Sequence, residues 1–139
     1  MSDNSTQNLF AFIALFIFLL IAFFSKKKSK LAIAMEYNIS KPTLSKWVRL
    51  FQSEIDIKDW RKKRDLSASE VAVLKSCFGA DQSYVLSKKQ IAEMTGSNYK
   101  TVSAVVKLNL NKIGLTLDAW ESCNVFPPNI SRKIIEVLG

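Results

Sequence analysis

The sequence predicts an all-α protein in which an N-terminal single transmembrane helix is followed by a small helical domain. The stretch from Leu9 to Phe24 is apolar without interruption. All 20 Lys and Arg residues follow residue 25, together with every acidic residue except Asp3, which gives that part a formal net charge of +9 (20 − 11). Short apolar stripes at helical spacing, separated by Ser, Asn and Gly, then predict several short helices.

The apolar run is the predicted membrane span, at residues 9–25. A helix of this length is about 24 Å long and the hydrocarbon core is roughly 30 Å thick, so flanking polar residues would complete the crossing. A cleaved signal peptide would carry its charge before the apolar run, and a buried core helix would need cover on all sides. Both alternatives fit less well.

Orientation is predicted from a basic collar that directly follows the span and is interpreted as a topology determinant: Lys26, Lys27, Lys28 and Lys30. Nothing basic precedes the span, so the positive-inside rule puts the C-terminal domain in the cytoplasm and residues 1–8 across the membrane. The same arrangement would fit a domain facing the interior of a membrane-containing virion.

Residue types needed for common active sites are missing. There is no His, which removes the usual general base and most zinc sites. Cys77 and Cys123 are isolated, without metal-ligand spacing, and no Gly-rich phosphate loop or nucleophile motif occurs. We therefore expect no enzyme activity, no metal and no cofactor.

The domain after the span divides into three predicted parts. Residues 26–65 hold the collar, a first helical pair broken at Asn38 and a charged linker. Residues 66–112 hold a second unit, which opens with a capping box at Ser67 and Glu70. Residues 113–139 form a helical extension. Residues 79–86 are expected to be a loop, with a short strand from Ser83 as the alternative, and the last helix is expected over residues 131–138, capped by Asn129 or Ser131.

Residues 91–107 have the pattern of a tight helical pair. Ile91-Ala92 supplies an apolar residue and a small crossing residue, and Gly96 lies at the turn, where a left-handed backbone is needed. Val102 and Val105 would face inward. This segment resembles the helix-turn-helix DNA-binding motif, whose second helix enters the major groove. The resemblance implies DNA contact by Ser97, Asn98, Tyr99, Lys100, Thr101, Ser103 and Lys107.

An earlier segment repeats this spacing. Ile33-Ala34 matches Ile91-Ala92, and Asn38 again follows the Ala by four positions. The Ser-Lys-Pro-Thr-Leu-Ser-Lys-Trp run at 40–47 resembles the recognition unit of transposases and resolvases, although no acidic catalytic domain follows it. The resemblance implies DNA contact by Ser40, Lys41, Thr43, Ser45, Lys46 and Arg49. The motif normally rests on a preceding helix, and here we expect the helix after Ser67 to support it.

A basic run lies between the two units. It is a candidate for phosphate contacts across a groove, with a solvated linker or a patch on anionic headgroups as alternatives. Its candidate DNA-binding residues are Arg61, Lys62, Lys63 and Arg64.

These features together predict a membrane-anchored DNA-binding protein that holds or regulates DNA at the membrane surface. The expected partners are DNA, a membrane with anionic lipid, and a second copy of the chain, since single helix-turn-helix units bind weakly. Two alternatives remain. The chain could be a phage or virion membrane protein that tethers the genome, or a structural scaffold that acts through protein and lipid contacts.

Overall fold

The structure is a computed structural model that describes residues 8–17, 27–57 and 59–139. Residues 8–17 form a helix, α1, whose apolar side chains are exposed. A strand, two helices, a second strand and a third helix follow: β1 (Lys28–Ser29), α2 (Lys30–Glu36), α3 (Lys41–Leu50), β2 (Asp65–Leu66) and α4 (Ala68–Phe78). The strands form an antiparallel ribbon with Lys28 opposite Leu66 and Ser29 opposite Asp65.

The same order of elements then returns, after a 3₁₀ turn at Gln82–Tyr84 and with two extra short helices before the second strand. Here too the strands form an antiparallel ribbon, with Leu86 opposite Phe126 and Ser87 opposite Val125. These elements are β3 (Leu86–Ser87), α5 (Lys88–Thr95), α6 (Tyr99–Leu108), α7 (Leu110–Ile113), α8 (Leu117–Ser122), β4 (Val125–Phe126) and α9 (Pro128–Leu138).

The chain therefore contains one arrangement of elements twice, and we call the two copies the first repeat (28–78) and the second repeat (86–138). Five elements of each repeat correspond: β1 to β3, α2 to α5, α3 to α6, β2 to β4 and α4 to α9. Single hydrogen bonds also correspond. The backbone N–H of Lys30 donates to the carbonyl of Arg64 (3.0 Å), and that of Lys88 donates to the carbonyl of Asn124 (3.2 Å).

Local sequence signals explain where the helices begin and turn. Ser67 and Ser87 each form a capping box, with Glu70 and Gln90 respectively, and so satisfy free N–H groups of the first turn. The two turns have left-handed backbones at the predicted positions, with φ of 54° at Asn38 and 67° at Gly96. The predicted capping box and the two predicted turn residues are confirmed.

One hydrophobic core joins the two repeats. Tyr37, Trp47 and Phe78 meet edge to face, with ring centroids 5.2–5.8 Å apart, so α4 supports the first helical pair as expected. Trp47 Nε1 donates to the carbonyl of Val125 in the second repeat (2.8 Å). Gly79 ends α4 at a close approach, because a Cβ there would lie 2.7 Å from Asn129 Oδ1.

The predicted transmembrane helix is wrong. Within residues 8–17, 27–57 and 59–139, none of the helices is both long enough and apolar enough to cross a bilayer. The rest of the predicted span, 18–25, and most of the predicted outer segment lie outside the described residues. The predicted single-pass arrangement, from which the cytoplasmic side of the C-terminal domain was inferred, depended on this helix and is wrong with it.

Three smaller expectations also change. The domain is not purely α, because two ribbons of very short strands tie each repeat together. The last helix begins at Pro128 with no side-chain cap, and Ser131 is fully buried, where its hydroxyl donates to the carbonyl of Phe126. In α6 the buried residues are Val102 and Val106, one helical turn apart, while Val105 is only half-buried.

Candidate nucleic-acid interface

Basic charge is unevenly divided between the repeats. Residues 27–78 contain 12 basic and 6 acidic residues, a net charge of +6, whereas residues 79–139 contain 7 and 5, a net charge of +2. Residues 27–50 contribute +5 of the net charge of residues 27–78, and the segment between α3 and β2, residues 51–64, contributes +2. An anionic polymer would therefore be attracted chiefly to the first repeat.

A surface groove of about 550 Å³ concentrates this charge between α3, the start of α2 and the segment before β2. Its lining includes six basic residues and no acidic one, and we call it the basic groove. Strand pairing brings the two sides together, because β1 leads directly into α2 and the basic run leads directly into β2. The lining residues are Ser29, Lys30, Leu31, Lys41, Pro42, Ser45, Arg61, Lys62, Lys63 and Arg64.

The loop that carries most of these cations is fixed by a tight turn. Asp59 has a φ of 58°, and its carbonyl accepts from the backbone N–H groups of Lys62 (2.9 Å) and Lys63 (3.0 Å). Trp60 Nε1 donates to Ser45 Oγ on α3 (3.2 Å). The loop is thereby tied to the helix whose N-terminus borders the groove.

Two of the six cations are engaged in the fold. Lys63 forms an ion pair with Glu70 (2.7 Å). Lys30 Nζ lies 4.2 Å from the ring centroid of Trp60 and donates to the carbonyl of the same residue. Burial, with a smaller contribution from nearby Lys41, lowers the pKa of Lys30 below its usual value.

The other four cations are exposed and form no ion pair within the described part of the chain: Lys41, Arg61, Lys62 and Arg64. Their charge is not neutralised by the protein itself. They are therefore the side chains best able to bind an external anion.

The remaining predicted residues of the first repeat have other roles or directions. Ser40 caps α3, its hydroxyl accepting from the N–H of Thr43 (3.3 Å) and hydrogen-bonding with the Thr43 hydroxyl (2.9 Å). Lys46 Nζ donates to the carbonyl of Ser122 (3.2 Å), so it points toward the second repeat and not into the basic groove. Arg49 is exposed farther along α3.

In the second repeat the predicted residues lie along α6. Asn98 caps the helix, its Oδ1 accepting from the N–H of Thr101 (2.8 Å). Lys100, Thr101 and Lys107 are exposed, and Tyr99 is also exposed. Two further predicted residues are half-buried: Ser97 and Ser103.

The segment that completes the groove in the first repeat is replaced in the second. Helices α7 and α8 stand where the basic loop would be, without a run of Lys or Arg. Trp120, the counterpart of Trp60, is only 1% exposed and stacks on Phe126 with an interplanar angle of 10°. Lys88 Nζ lies 4.4 Å from the Trp120 ring centroid, as Lys30 does over Trp60. The Lys–Trp contact is thus common to both repeats, and the basic groove is not.

Lys30 is the basic residue of the groove that was not predicted to contact DNA, because its place beside other lysines suggested a role in membrane topology. A usable signal is present in the sequence: each Ser-Lys that opens a first helix is followed by a Trp at a nearly equal separation, Trp60 after Lys30 and Trp120 after Lys88. The structure shows that these residues are in contact in both repeats.

Comparison with known proteins adds no relative to this description. No family model, no curated protein and no solved structure matches the chain. Among the residues that the structure describes, no three His, Cys, Asp or Glu side chains are grouped so as to hold a metal ion. The functional argument therefore rests on the basic groove and on its counterpart in the second repeat.

Proposed function

We propose that this protein binds double-stranded DNA through the first repeat, with the basic groove contacting the phosphate backbone. The observation that carries the proposal is the groove itself, which six basic residues and no acidic residue line. Neutralising phosphates releases condensed counterions, which is the main source of sequence-independent affinity for DNA.

The cations of the groove come from two separate elements, which suits a backbone with regularly spaced charges. Lys41 lies in the first turn of α3, where the helix dipole also favours an anion. Arg61, Lys62 and Arg64 come from the loop that Trp60 ties to the same helix. Such contacts fix the register of a protein on the duplex without reading its sequence.

In this proposal, the exposed side of α3 contacts the edges of the bases. Arg49 lies two turns beyond Lys41, and Arg is the side chain that most often bonds the edge of guanine. Lys46 would join it by giving up its bond to the carbonyl of Ser122, a bond between exposed groups. In this proposal the second repeat supports α3, and Lys100 and Lys107 supply only longer-range attraction.

The test compares two double charge reversals in the full chain. Arg61→Glu with Lys62→Glu removes two exposed cations of the groove, and Lys100→Glu with Lys107→Glu is the matched control on α6. We expect the first pair to weaken binding to a labelled duplex about tenfold or more and to reduce the slope of log K against log salt by about two. We expect the control pair to change affinity by about threefold or less, through screened long-range attraction.

Each of these four side chains is exposed, so melting temperatures of both variants should stay close to the wild-type value. A folded wild-type chain that fails to bind duplex DNA at low salt would exclude the proposal. Equal losses of affinity from the two pairs of substitutions would show that the basic groove is not the main contact with DNA.

A further inference from the structure

A second cavity, of about 690 Å³, opens beside the basic groove in the first repeat. Val48, Ile55, Ile57 and Trp60 are among the residues that line it, and we call it the aromatic pocket. Its volume lies within the roughly 300–1,000 Å³ of ordinary small-ligand sites. The basic groove and the aromatic pocket share Ser45, Arg61 and Lys62, so the two are continuous.

Trp60 stands between the basic groove and the aromatic pocket. Trp60 borders the pocket but not the groove, whereas Lys30, which lies over the ring of Trp60, borders the groove but not the pocket. The bond from Trp60 Nε1 to Ser45 Oγ holds the indole in place. The ring therefore offers the pocket a fixed aromatic surface beside cations that suit a phosphate.

The second repeat shows what a closed version of this site looks like. Trp120 has a Lys over its ring, as Trp60 does, and also carries the stacked ring of Phe126. Among the described residues, no aromatic side chain stacks on Trp60. The residue of the first repeat that corresponds to Phe126 is Leu66, so Trp60 lacks the stacked aromatic partner that Trp120 has.

The polar groups of the aromatic pocket define which planar ligand fits it. Asp56 and Asp59 are among the lining residues, and a carboxylate can accept a hydrogen bond from an amino group such as N4 of cytosine. Arg61 and Lys62 lie where pocket and groove meet, within reach of a phosphate on the same ligand. A nucleotide whose base carries an amino group combines these three features, namely a flat ring, a hydrogen-bond donor and a phosphate.

We propose that the aromatic pocket binds an unpaired nucleobase that carries an amino group, stacked on Trp60, with its phosphate held by Arg61 and Lys62. The inference rests on the proposed binding of DNA and refines it. The protein then prefers a duplex with one unpaired cytosine over a fully paired duplex by about tenfold, since stacking of one base on an aromatic side chain supplies a gain of that order. An unpaired thymine, which lacks an amino group, gives a smaller gain.

Tryptophan fluorescence tests this directly, because two of the three tryptophans do not report on the surface. Trp47 and Trp120 are 0% and 1% exposed, and Trp60 is partly exposed. We would titrate the full chain with four probes: a paired duplex, the same duplex with one unpaired cytosine, the same with one unpaired thymine, and free dCMP. Quenching that is strongest with unpaired cytosine is the expected result.

Three variants separate stacking from a structural role. Trp60→Leu and Trp60→Phe both lose the bond that ties the loop to α3, so they should lose affinity for paired duplex to a similar extent. Trp60→Leu should also abolish the preference for unpaired cytosine, whereas Trp60→Phe should keep most of that preference because Phe retains a ring. Asp56→Asn should reduce the preference of cytosine over thymine. Asp65→Asn, an exposed acid outside the aromatic pocket, is the matched control and should change nothing.

The outcomes distinguish this inference from the function on which it rests. Equal affinity for paired and unpaired duplexes, without quenching, overturns the inference and leaves duplex binding intact. Loss of the preference in Trp60→Phe as well as Trp60→Leu also overturns it, since the ring would then act only through its bond to Ser45. Quenching by dCMP without any preference among the duplexes supports the aromatic pocket with a free nucleotide as its source. Failure to bind any DNA overturns both proposals.

Discussion

The two repeats share a scaffold and differ in one segment. Both pair a strand before the first helix with a strand before the third, both turn through a left-handed residue, and both set a Lys over a Trp ring. Between its second helix and its second strand, the first repeat has the basic loop, within residues 51–64. At the same place the second repeat has the helices α7 and α8, within residues 109–124. That segment decides whether the Trp borders a cavity or is sealed in the core.

The difference teaches that the Lys–Trp contact belongs to the scaffold and the run of adjacent cations from Arg61 to Arg64 belongs to the loop. In the second repeat Lys88 and Trp120 meet without any basic run beside them, so the contact serves folding there. The second repeat also supports the first, through the bond from Trp47 to the carbonyl of Val125 and from Asn129 to the carbonyl of Cys77 (2.9 Å). Equivalent positions should therefore respond unequally to mutation.

The largest effect is expected at Trp47, whose counterpart is Val105. Trp47 is fully buried among Tyr37 and Phe78, while Val105 is only half-buried. We expect Trp47→Ala to lower the free energy of unfolding by about 3–5 kcal/mol, and Val105→Ala to lower it by about 1 kcal/mol. Urea titrations followed by circular dichroism measure both.

Trp47→Phe is the control that keeps the fold measurable if Trp47→Ala fails to fold. It retains an aromatic ring and removes the bond to Val125, so the expected loss is about 1–3 kcal/mol, with an unsatisfied carbonyl left behind. If Trp47→Ala and Val105→Ala lowered the free energy of unfolding equally, the core of the first repeat would not be what joins the two repeats.

Local features of this fold were predictable from sequence, and long-range ones were not. Serine caps, the Ser67–Glu70 box and the turns at Asn38 and Gly96 depend on residues close together in the chain. The strands are too short to show any alternation, and their pairing joins residues that two helices and a loop separate in the chain. Hydropathy alone suggested the membrane helix, and that prediction failed.

The candidate site was predictable in part for the same reason. Lys41 and the run from Arg61 to Arg64 were recognised as basic, but their meeting in one groove depends on the pairing of β1 with β2. Lys30 was assigned to the collar because its neighbours in sequence are lysines. Lys46 was predicted to contact DNA together with Lys41, yet its Nζ donates to the carbonyl of Ser122 in the second repeat.

A smaller loss of stability is expected at alkaline pH, when Tyr37 ionises. This loss is specific to the first repeat, because the counterpart of Tyr37 in the second repeat is Thr95, which does not ionise. Burial, aided by the carboxylate of Glu36, raises the pKa of Tyr37 to about 12, and its hydroxyl donates to the carbonyl of Gly79 (2.8 Å). The unfolded value is about 10. Because the folded pKa is the higher one, the neutral phenol stabilises the fold fully below pH 10, and this contribution is lost as the pH rises toward 12.

Melting temperatures measured between pH 8 and 12 should therefore fall more steeply for the wild type than for Tyr37→Phe. The variant starts lower, since it lacks the bond to Gly79, and the two curves converge at high pH. The two proteins share every other ionisable side chain, so the difference between the two curves reports on Tyr37. Parallel curves would mean that the Tyr37 hydroxyl is not held in the core.

The smallest effects are expected at the two turns, where the repeats use different residues for one backbone shape. A Cβ at Gly96 would meet no atom within 4 Å, so Gly96→Ala should cost only the backbone penalty of a positive φ, about 1 kcal/mol. Gly96→Asn should cost less, because Asn adopts this conformation more readily, and Asn38→Gly should change stability by about 0.5 kcal/mol or less. Urea titration of the three variants measures this order, and equal costs for Ala and Asn at position 96 would mean that the two turns are not equivalent.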